Sequence, residues 1–199
     1  KIFDFVEFAD SSKIQVGDFI LSIGNPFGLG NTVTTGIVSG LNRDINMTPF
    51  DNFIQLDSAI NKGNSGGPTF NMYGKVIGVN TAIVSPTGGN VGLAFSIPSN
   101  EVKKIINDIK QYGFVKRSWI GIHLQSLNDE MLKALNIKNY KNAVIINSVT
   151  PNSPADKYNL KVGDIIYGLN DMNIGGIKDL IKTIYKTDVN SFLKINLIR

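Results

Sequence analysis

Gly63-Asn64-Ser65-Gly66-Gly67-Pro68 lies between two short apolar runs, Phe53-Ile54-Gln55-Leu56 and Val76-Ile77-Gly78-Val79. Outward from it the same grammar repeats. Phe19-Ile20-Leu21-Ser22-Ile23 stops at Gly24-Asn25-Pro26, Thr34-Thr35-Gly36-Ile37-Val38-Ser39 stops at Gly40, and Leu93-Ala94-Phe95-Ser96-Ile97 stops at Pro98. Short strands separated by glycine, asparagine and proline predict an antiparallel barrel or sandwich. No helical pattern alternates with them, which argues against a doubly wound parallel sheet.

The period changes after Pro98. Val102, Ile105, Ile106 and Ile109 recur at helical spacing, so one stripe of a helix is predicted to pack on the barrel. Ser99 or Asn100 is its expected cap, Glu101 suits its positive end, and Gly113 stops it. From Trp119 onward both periods mix: strands are predicted at 119–124, 143–149, 164–169 and 192–198, with helices at 129–135, 154–158 and 177–185. About 80 residues in that pattern suit a small α/β sandwich. The expected organisation is therefore 1–113, a linker at 114–118, and a second domain at 119–199.

Composition narrows the function classes. A hydrophobic content of 42% supports folded cores, and the net charge of +4 is spread along the chain without a basic patch, so no nucleic-acid partner is expected. The absence of cysteine removes thiolate catalysis and disulfides. Asp, Glu and the single His are scattered without ligand spacing, and Gly24–Gly30 lacks the Lys and Ser/Thr of a phosphate loop, so no metal and no cofactor are expected.

The chemistry concentrates at Ser65. A nucleophile for acyl transfer must sit on a tight turn with its hydroxyl projecting, while nearby N–H groups converge where the carbonyl oxygen gains charge. Gly63 permits a backbone conformation that sets its own N–H beside that of Ser65, and Gly66 and Gly67 let the chain leave without blocking the site. Ser65 Oγ is the candidate nucleophile, and the N–H groups of Gly63 and Ser65 the candidate oxyanion hole.

Asp57-Ser58-Ala59-Ile60-Asn61-Lys62-Gly63-Asn64-Ser65-Gly66-Gly67-Pro68 resembles the nucleophile segment of the HtrA/Deg family of trypsin-fold serine proteases, in particular its bacterial DegP-like branch. Ile23-Gly24-Asn25-Pro26-Phe27-Gly28-Leu29-Gly30, Gly78-Val79-Asn80-Thr81-Ala82-Ile83 and Gly92-Leu93-Ala94-Phe95-Ser96-Ile97-Pro98-Ser99 resemble the same family in the same order. The resemblance implies a mainly β fold: the C-terminal barrel of a chymotrypsin/trypsin-like protease followed by a small α/β PDZ-like domain. It makes Ile60–Asn64 the oxyanion loop, Asn42–Asn52 a regulatory loop, Ile83–Val91 a second activation loop, and Asn80-Thr81-Ala82 the edge that pairs with substrate backbone. The floor of the specificity pocket falls at Ala59, followed by Ile60. Without a carboxylate there, small or medium aliphatic side chains are expected before the scissile bond. Asp57 is expected to make a structural hydrogen bond at the loop base.

Trp119-Ile120-Gly121-Ile122, Ser153-Pro154-Ala155 and Val162-Gly163-Asp164 resemble a PDZ domain of HtrA-type proteins. The resemblance implies that Ile120, Gly121 and Ile122 form a carboxylate-binding loop, with His123 on the groove edge and Ile181 on the helical wall. The expected partners are unfolded or misfolded proteins and C-terminal peptides. It further implies an ATP-independent endopeptidase of protein quality control in a homotrimer or larger assembly, exported to the periplasm, with peripheral cell-envelope association. A serine nucleophile needs a base. The one histidine, His123, lies beyond the barrel, and the family places its His and Asp upstream of Lys1–Asp10, so the 199 residues alone are expected to be inert. The alternative is a non-catalytic, chaperone-like peptide binder on the same fold.

Overall fold

The computed structural model describes residues 3–199; Lys1 and Ile2, the start of the predicted barrel region, lie outside the described residues. The chain divides into two compact units, Lys1–Val115 and Lys116–Arg199.

The first unit is a closed barrel of six antiparallel strands: β1 (Phe19–Gly24), β2 (Thr32–Arg43), β3 (Phe53–Leu56), β4 (Pro68–Asn71), β5 (Val76–Ile83) and β6 (Ala94–Pro98), paired in the order β1-β2-β3-β6-β5-β4 and closed by β1 on β4. Alternation sends every second side chain inward. In β3, Ile54 and Leu56 are buried between half-buried Phe53 and Gln55. They join Ile20, Val38, Ile60, Ile77 and Ala94 in one apolar cluster. Burying each such aliphatic side chain contributes roughly 1.5–3 kcal/mol.

β4 escapes the hydrophobic pattern. It has four residues and opens with a proline, a position a strand tolerates because the first residue need not donate. Its inward residue is Thr69, fully buried but polar.

Helix α1 (Ser99–Tyr112) follows β6. Neither Ser99 nor Asn100 caps it as expected; the cap position is Pro98, without a side-chain bond. Ser99 Oγ turns inward to Ala9 O (2.9 Å), while Asn100 donates through Nδ2 to Asp10 (2.7 Å) and accepts from Ser11 N–H. Both side chains thus tie the helix to the segment at 9–11. The Asn100 amide, helped by Ser12, holds the Asp10 carboxyl down at about 2. Gly113 ends the helix in the left-handed conformation, φ +79°, donating to Ile109 O. The predicted stripe is only partly covered: Val102 is buried, whereas Ile109 stays half exposed.

The second unit is a five-stranded sheet, β7 (Ile122–Ser126), β8 (Val144–Val149), β9 (Ile165–Leu169), β10 (Met172–Asn173) and β11 (Ile195–Ile198), with β9 paired to β8, β10 and β11. Helices α2 (Asp129–Ala134), α3 (Pro154–Lys157) and α4 (Ile177–Lys186) pack around it. β7 begins three residues later than expected, and Trp119 stands largely exposed before it. Asn128 and Ser153 cap α2 and α3 by accepting from Met131 and Asp156 N–H. Val144, Ile146, Ile166, Leu169, Leu180 and Ile184 form the core between sheet and α4.

One ion pair anchors this unit. Asp164, 1% exposed, accepts both Arg199 Nε and Nη2 at 2.8 Å and also Lys161 N–H. The Arg199 guanidinium, more than burial opposes it, holds the Asp164 carboxyl below the usual range. A depressed carboxyl contributes stability above its unfolded value of about 3.9, and that stability disappears as pH falls through the lower folded value. Arg199→Ala should therefore destabilise the unit at pH 7, by an amount that solvent screening of the exposed guanidinium keeps modest. In urea titrations the gap between variant and parent should close below pH 4; a gap constant with pH would refute the assignment.

Candidate functional site

Ser65 sits on the turn leading into β4, and the turn is pinned to β5 on both sides. Gly66 N–H donates to Asn80 O (2.8 Å), Asn80 N–H donates to Gly67 O (2.9 Å), and Gly67 N–H closes the turn on Asn64 O (3.0 Å). The Ser65 side chain is exposed, with Oγ donating to Thr81 O at 3.1 Å. Among the described residues, the N–H groups of Gly63 and Ser65 have no protein acceptor.

Gly63 has φ +104°, and an ideal Cβ there would lie 2.3 Å from Asn25 O and 2.9 Å from Phe27 N. The close approach exists because the loop after β1 props the nucleophile loop: Phe27 N–H donates to Lys62 O (3.0 Å) and Asn25 N–H to Gly63 O (3.4 Å). Phe27 takes a positive φ of 55° to do so, uncommon for an aromatic residue. Asn64 is buried, its Nδ2 reaching Ala59 O at 3.4 Å while its Oδ1 has no partner. Leaving a buried acceptor unpaired costs about 1–3 kcal/mol.

Two expected substrate contacts need correction. Ile60 is 1% exposed and belongs to the barrel core, because an apolar side chain one step past an exposed Ala59 points inward. Asn80 is equally buried, and its main-chain N–H and C=O are both committed to the nucleophile turn, so it offers substrate neither side chain nor backbone. The edge changes one residue later. β4 pairs with β5 only as far as Val79, whereas Ala82 and Ile83 pair with Phe95 and Ala94 of β6. Thr81, Ala82 and Ile83 are half-buried; Thr81 O meets the Ser65 hydroxyl, and Ile83 packs against the core cluster.

Asp57 Oδ1 accepts from Ile37 N–H at 2.6 Å, across the loop base. Asn90 was not singled out by sequence, yet it joins the loop after β5 to the nucleophile loop. Its N–H donates to Asn61 Oδ1 (3.0 Å), and its Nδ2 donates to Ile60 O (3.1 Å) and Ser58 O (3.3 Å). The 42–52 loop is wrapped on the buried Asp51 carboxylate, which accepts from Met47 N (2.8 Å), Thr48 N (2.9 Å) and Ile45 N (3.1 Å), and from Thr48 Oγ1 (2.7 Å). Burial pushes that carboxyl up, but these donors together bring it below its ordinary value.

In the second unit, Ile120 and Gly121 form a loop held by its carbonyls: Ile120 O accepts from Ala155 N–H (2.8 Å) and Gly121 O from Thr150 N–H (2.9 Å). Gly121 has φ +85°, and a Cβ there would collide with Ser153 Cβ at 2.3 Å. Ile122 opens β7 opposite Val149, and exposed His123 follows it. On α4, Leu180 and Ile184 are core and Ile177 packs on them, while half-buried Ile181 lies outside that cluster. Among the described residues no group of three or more His, Asp or Glu could hold a metal ion, and no helix is long and apolar enough to cross a membrane.

A closed six-stranded barrel with an exposed serine on a glycine turn, followed by a small α/β sheet domain with a glycine loop, defines a trypsin-type peptidase barrel joined to a PDZ-like domain. Comparison with known proteins gives the same result. Residues 1–79 match the trypsin-like peptidase domain and residues 118–199 the PDZ domain. The chain is 48% identical over 182 residues to the "probable periplasmic serine endoprotease DegP-like" of Bartonella henselae, covering 92% of this chain and 36% of that protein. It is 43% identical over 196 residues to the "probable periplasmic serine protease do/HhoA-like" of Haemophilus influenzae, covering 98% and 42%. Among solved structures, the HtrA-type protease AlgW with decapeptide aligns with a TM-score of 0.86 at 33% identity, covering 98% of this chain and 60% of that one. The chain is similar to HtrA/Deg-family trypsin-fold serine proteases over its six-stranded barrel and adjoining PDZ domain. It spans well under half the length of these two curated relatives.

Proposed function

We propose that these residues belong to an ATP-independent serine endopeptidase of protein quality control, working in the cell envelope on unfolded or misfolded chains. The observation that carries this reading is the exposed Ser65 hydroxyl on a turn whose neighbouring N–H groups, Gly63 and Ser65, are unclaimed. The periplasmic relatives named above supply the compartment.

In this mechanism Ser65 Oγ leaves Thr81 O and attacks a peptide carbonyl bound along Thr81–Ile83. A general base takes the Ser65 hydroxyl proton as Oγ bonds to the carbonyl carbon, and the two amides receive the oxyanion. On its collapse the C–N bond breaks, the base returns the proton to the departing amine, and the acyl-serine left behind is hydrolysed by water. The first unit contains no histidine, and this reading assigns the base to a histidine outside these residues. Exposed Ala59, with no carboxylate at that position, favours a small or medium aliphatic residue before the scissile bond. The test is a serine-directed fluorophosphonate applied to the full-length protein, with mass mapping of the adduct. Modification at Ser65 is expected; reaction elsewhere only, or none, overturns the assignment.

We assign residues 119–199, within the second unit, to peptide capture, with 1–113 the peptidase portion. The N–H groups of the Ile120–Ile122 loop hold a C-terminal carboxylate, the peptide runs beside β7, and Ile181 lines the far wall with His123 at the edge. A decapeptide accompanies the similar AlgW structure, and the proposal includes assembly of the whole protein as a homotrimer or larger. A peptide with a free C-terminus should bind at least about 10-fold more tightly than its amide, since a charge-assisted hydrogen bond is worth about 1.5–3 kcal/mol. Equal affinities by calorimetry would exclude carboxylate capture.

A further inference from the structure

We propose that the buried side chain of Asn80 is a positioning residue that fixes Ser65 and its turn for attack, acting from inside the barrel through the main chain of β5. The proposal rests on the reading of Ser65 as the nucleophile.

Among the buried polar side chains of the first unit, Ser22, Ser58, Thr69, Asn80 and Ser96 are at most 2% exposed. They form one network. Asn80 Oδ1 accepts from Thr69 Oγ1 (2.6 Å) and from Ser96 Oγ (2.8 Å), and Ser22 Oγ lies 3.0 Å from Thr69 Oγ1 and 3.2 Å from Ser58 Oγ. Thr69 is on β4 and Ser96 on β6, the two neighbours of β5, so the Asn80 amide is clamped from both sides.

The clamp sits where regular pairing fails. Against β6 the register of β5 slips between Asn80 and Ala82; against β4 it slips between Thr69 and Phe70. A bulge leaves a strand free to re-aim, and this is the place where β5 serves the nucleophile. Asn80 O accepts Gly66 N–H, Asn80 N–H donates to Gly67 O, and the next carbonyl, Thr81 O, accepts the Ser65 hydroxyl. The ladder alone does not determine the backbone there; the Asn80 side chain does.

Asn80 Nδ2 is buried and has no partner. A residue chosen only to fill the core would not carry that orphan donor, since an apolar side chain of similar volume avoids it. Packing alone does not account for an asparagine at this position.

The experiment uses the full-length protein with Asn80→Val, Thr69→Val, Thr69→Ser and Ser65→Ala, reading kcat and KM on a fluorogenic peptide, the rate of fluorophosphonate labelling, and the melting temperature. In Asn80→Val and Thr69→Val, kcat and the labelling rate should fall together by roughly 10- to 100-fold, the scale of a small misplacement of reacting groups. KM should change by less than about twofold, because the groups removed do not touch substrate. Thr69→Ser keeps the hydroxyl and should restore kcat. If Asn80→Val fails to fold, the Thr69 pair decides alone. Wild-type kcat in folded Asn80→Val or in Thr69→Val, or a lowered melting temperature with unchanged labelling, overturns the proposal. Cleavage surviving in Ser65→Ala would instead overturn the nucleophile reading on which it rests.

Discussion

Ser65→Ala in the full-length protein is expected to lower the cleavage of an unfolded substrate such as casein by about 10⁴-fold or more. The variant loses the only atom that can form the acyl intermediate, while the amides of Gly63 and Ser65 and the substrate edge at Thr81–Ile83 remain. The hydroxyl is exposed and makes one hydrogen bond, to Thr81 O, so its removal should alter folding stability by less than about 1 kcal/mol. Stability and activity therefore separate. Substrate affinity should persist, so the inert variant should retain bound chains that the parent degrades. If parent and variant cleave equally, Ser65 is not the nucleophile. If neither cleaves and both bind, the molecule is a peptide-holding protein on a protease fold.

How much of this the sequence disclosed depended on which force shaped each segment. Strands whose inward positions are apolar were legible: Phe53–Leu56 alternates in burial as its composition does. β4 was not, because Thr69 turns a hydroxyl into the core where an apolar residue marks an ordinary strand, and Pro68 reads as a break. The nucleophile turn was legible through its glycines, since few residue types adopt a positive φ such as that of Gly63. What surrounds it was less so. Counting back from Ser65 reached Ala59 and Ile60 but could not tell which side chain faces outward, and the core took Ile60. Asn80 read as an edge residue, and only the positions of Thr69 and Ser96 reveal it as a buried hub. Asn90 bonds residues about 30 positions away, a relation no local pattern encodes. Helix α1 announced its stop at Gly113, whereas its start is governed by bonds to residues 9–11, nearly ninety positions earlier.

Gly63→Ala should also lower cleavage strongly, though less than Ser65→Ala, without removing the Ser65 hydroxyl. At φ +104° an alanine is strained, and its Cβ would stand 2.3 Å from Asn25 O and 2.9 Å from Phe27 N. Both obstacles are backbone, so the loop must move away from the Asn25–Phe27 segment, and the Gly63 N–H moves with it. Losing one oxyanion donor lowers kcat by about 10²- to 10³-fold, and that is the expected fall. Gly66→Ala provides the comparison. Gly66 also has a positive φ, +86°, but nothing lies within 4 Å of an added Cβ. It should therefore carry the backbone strain, about 1–2 kcal/mol, without the displacement, and lose far less activity than Gly63→Ala. Fluorophosphonate labelling sharpens the contrast, because phosphonylation of Ser65 also places a developing oxyanion at the two amides. The labelling rate should drop with kcat in Gly63→Ala while Ser65 remains chemically present. Equal losses in the two glycine variants would mean that strain in the turn, rather than the place of the Gly63 amide, controls the chemistry.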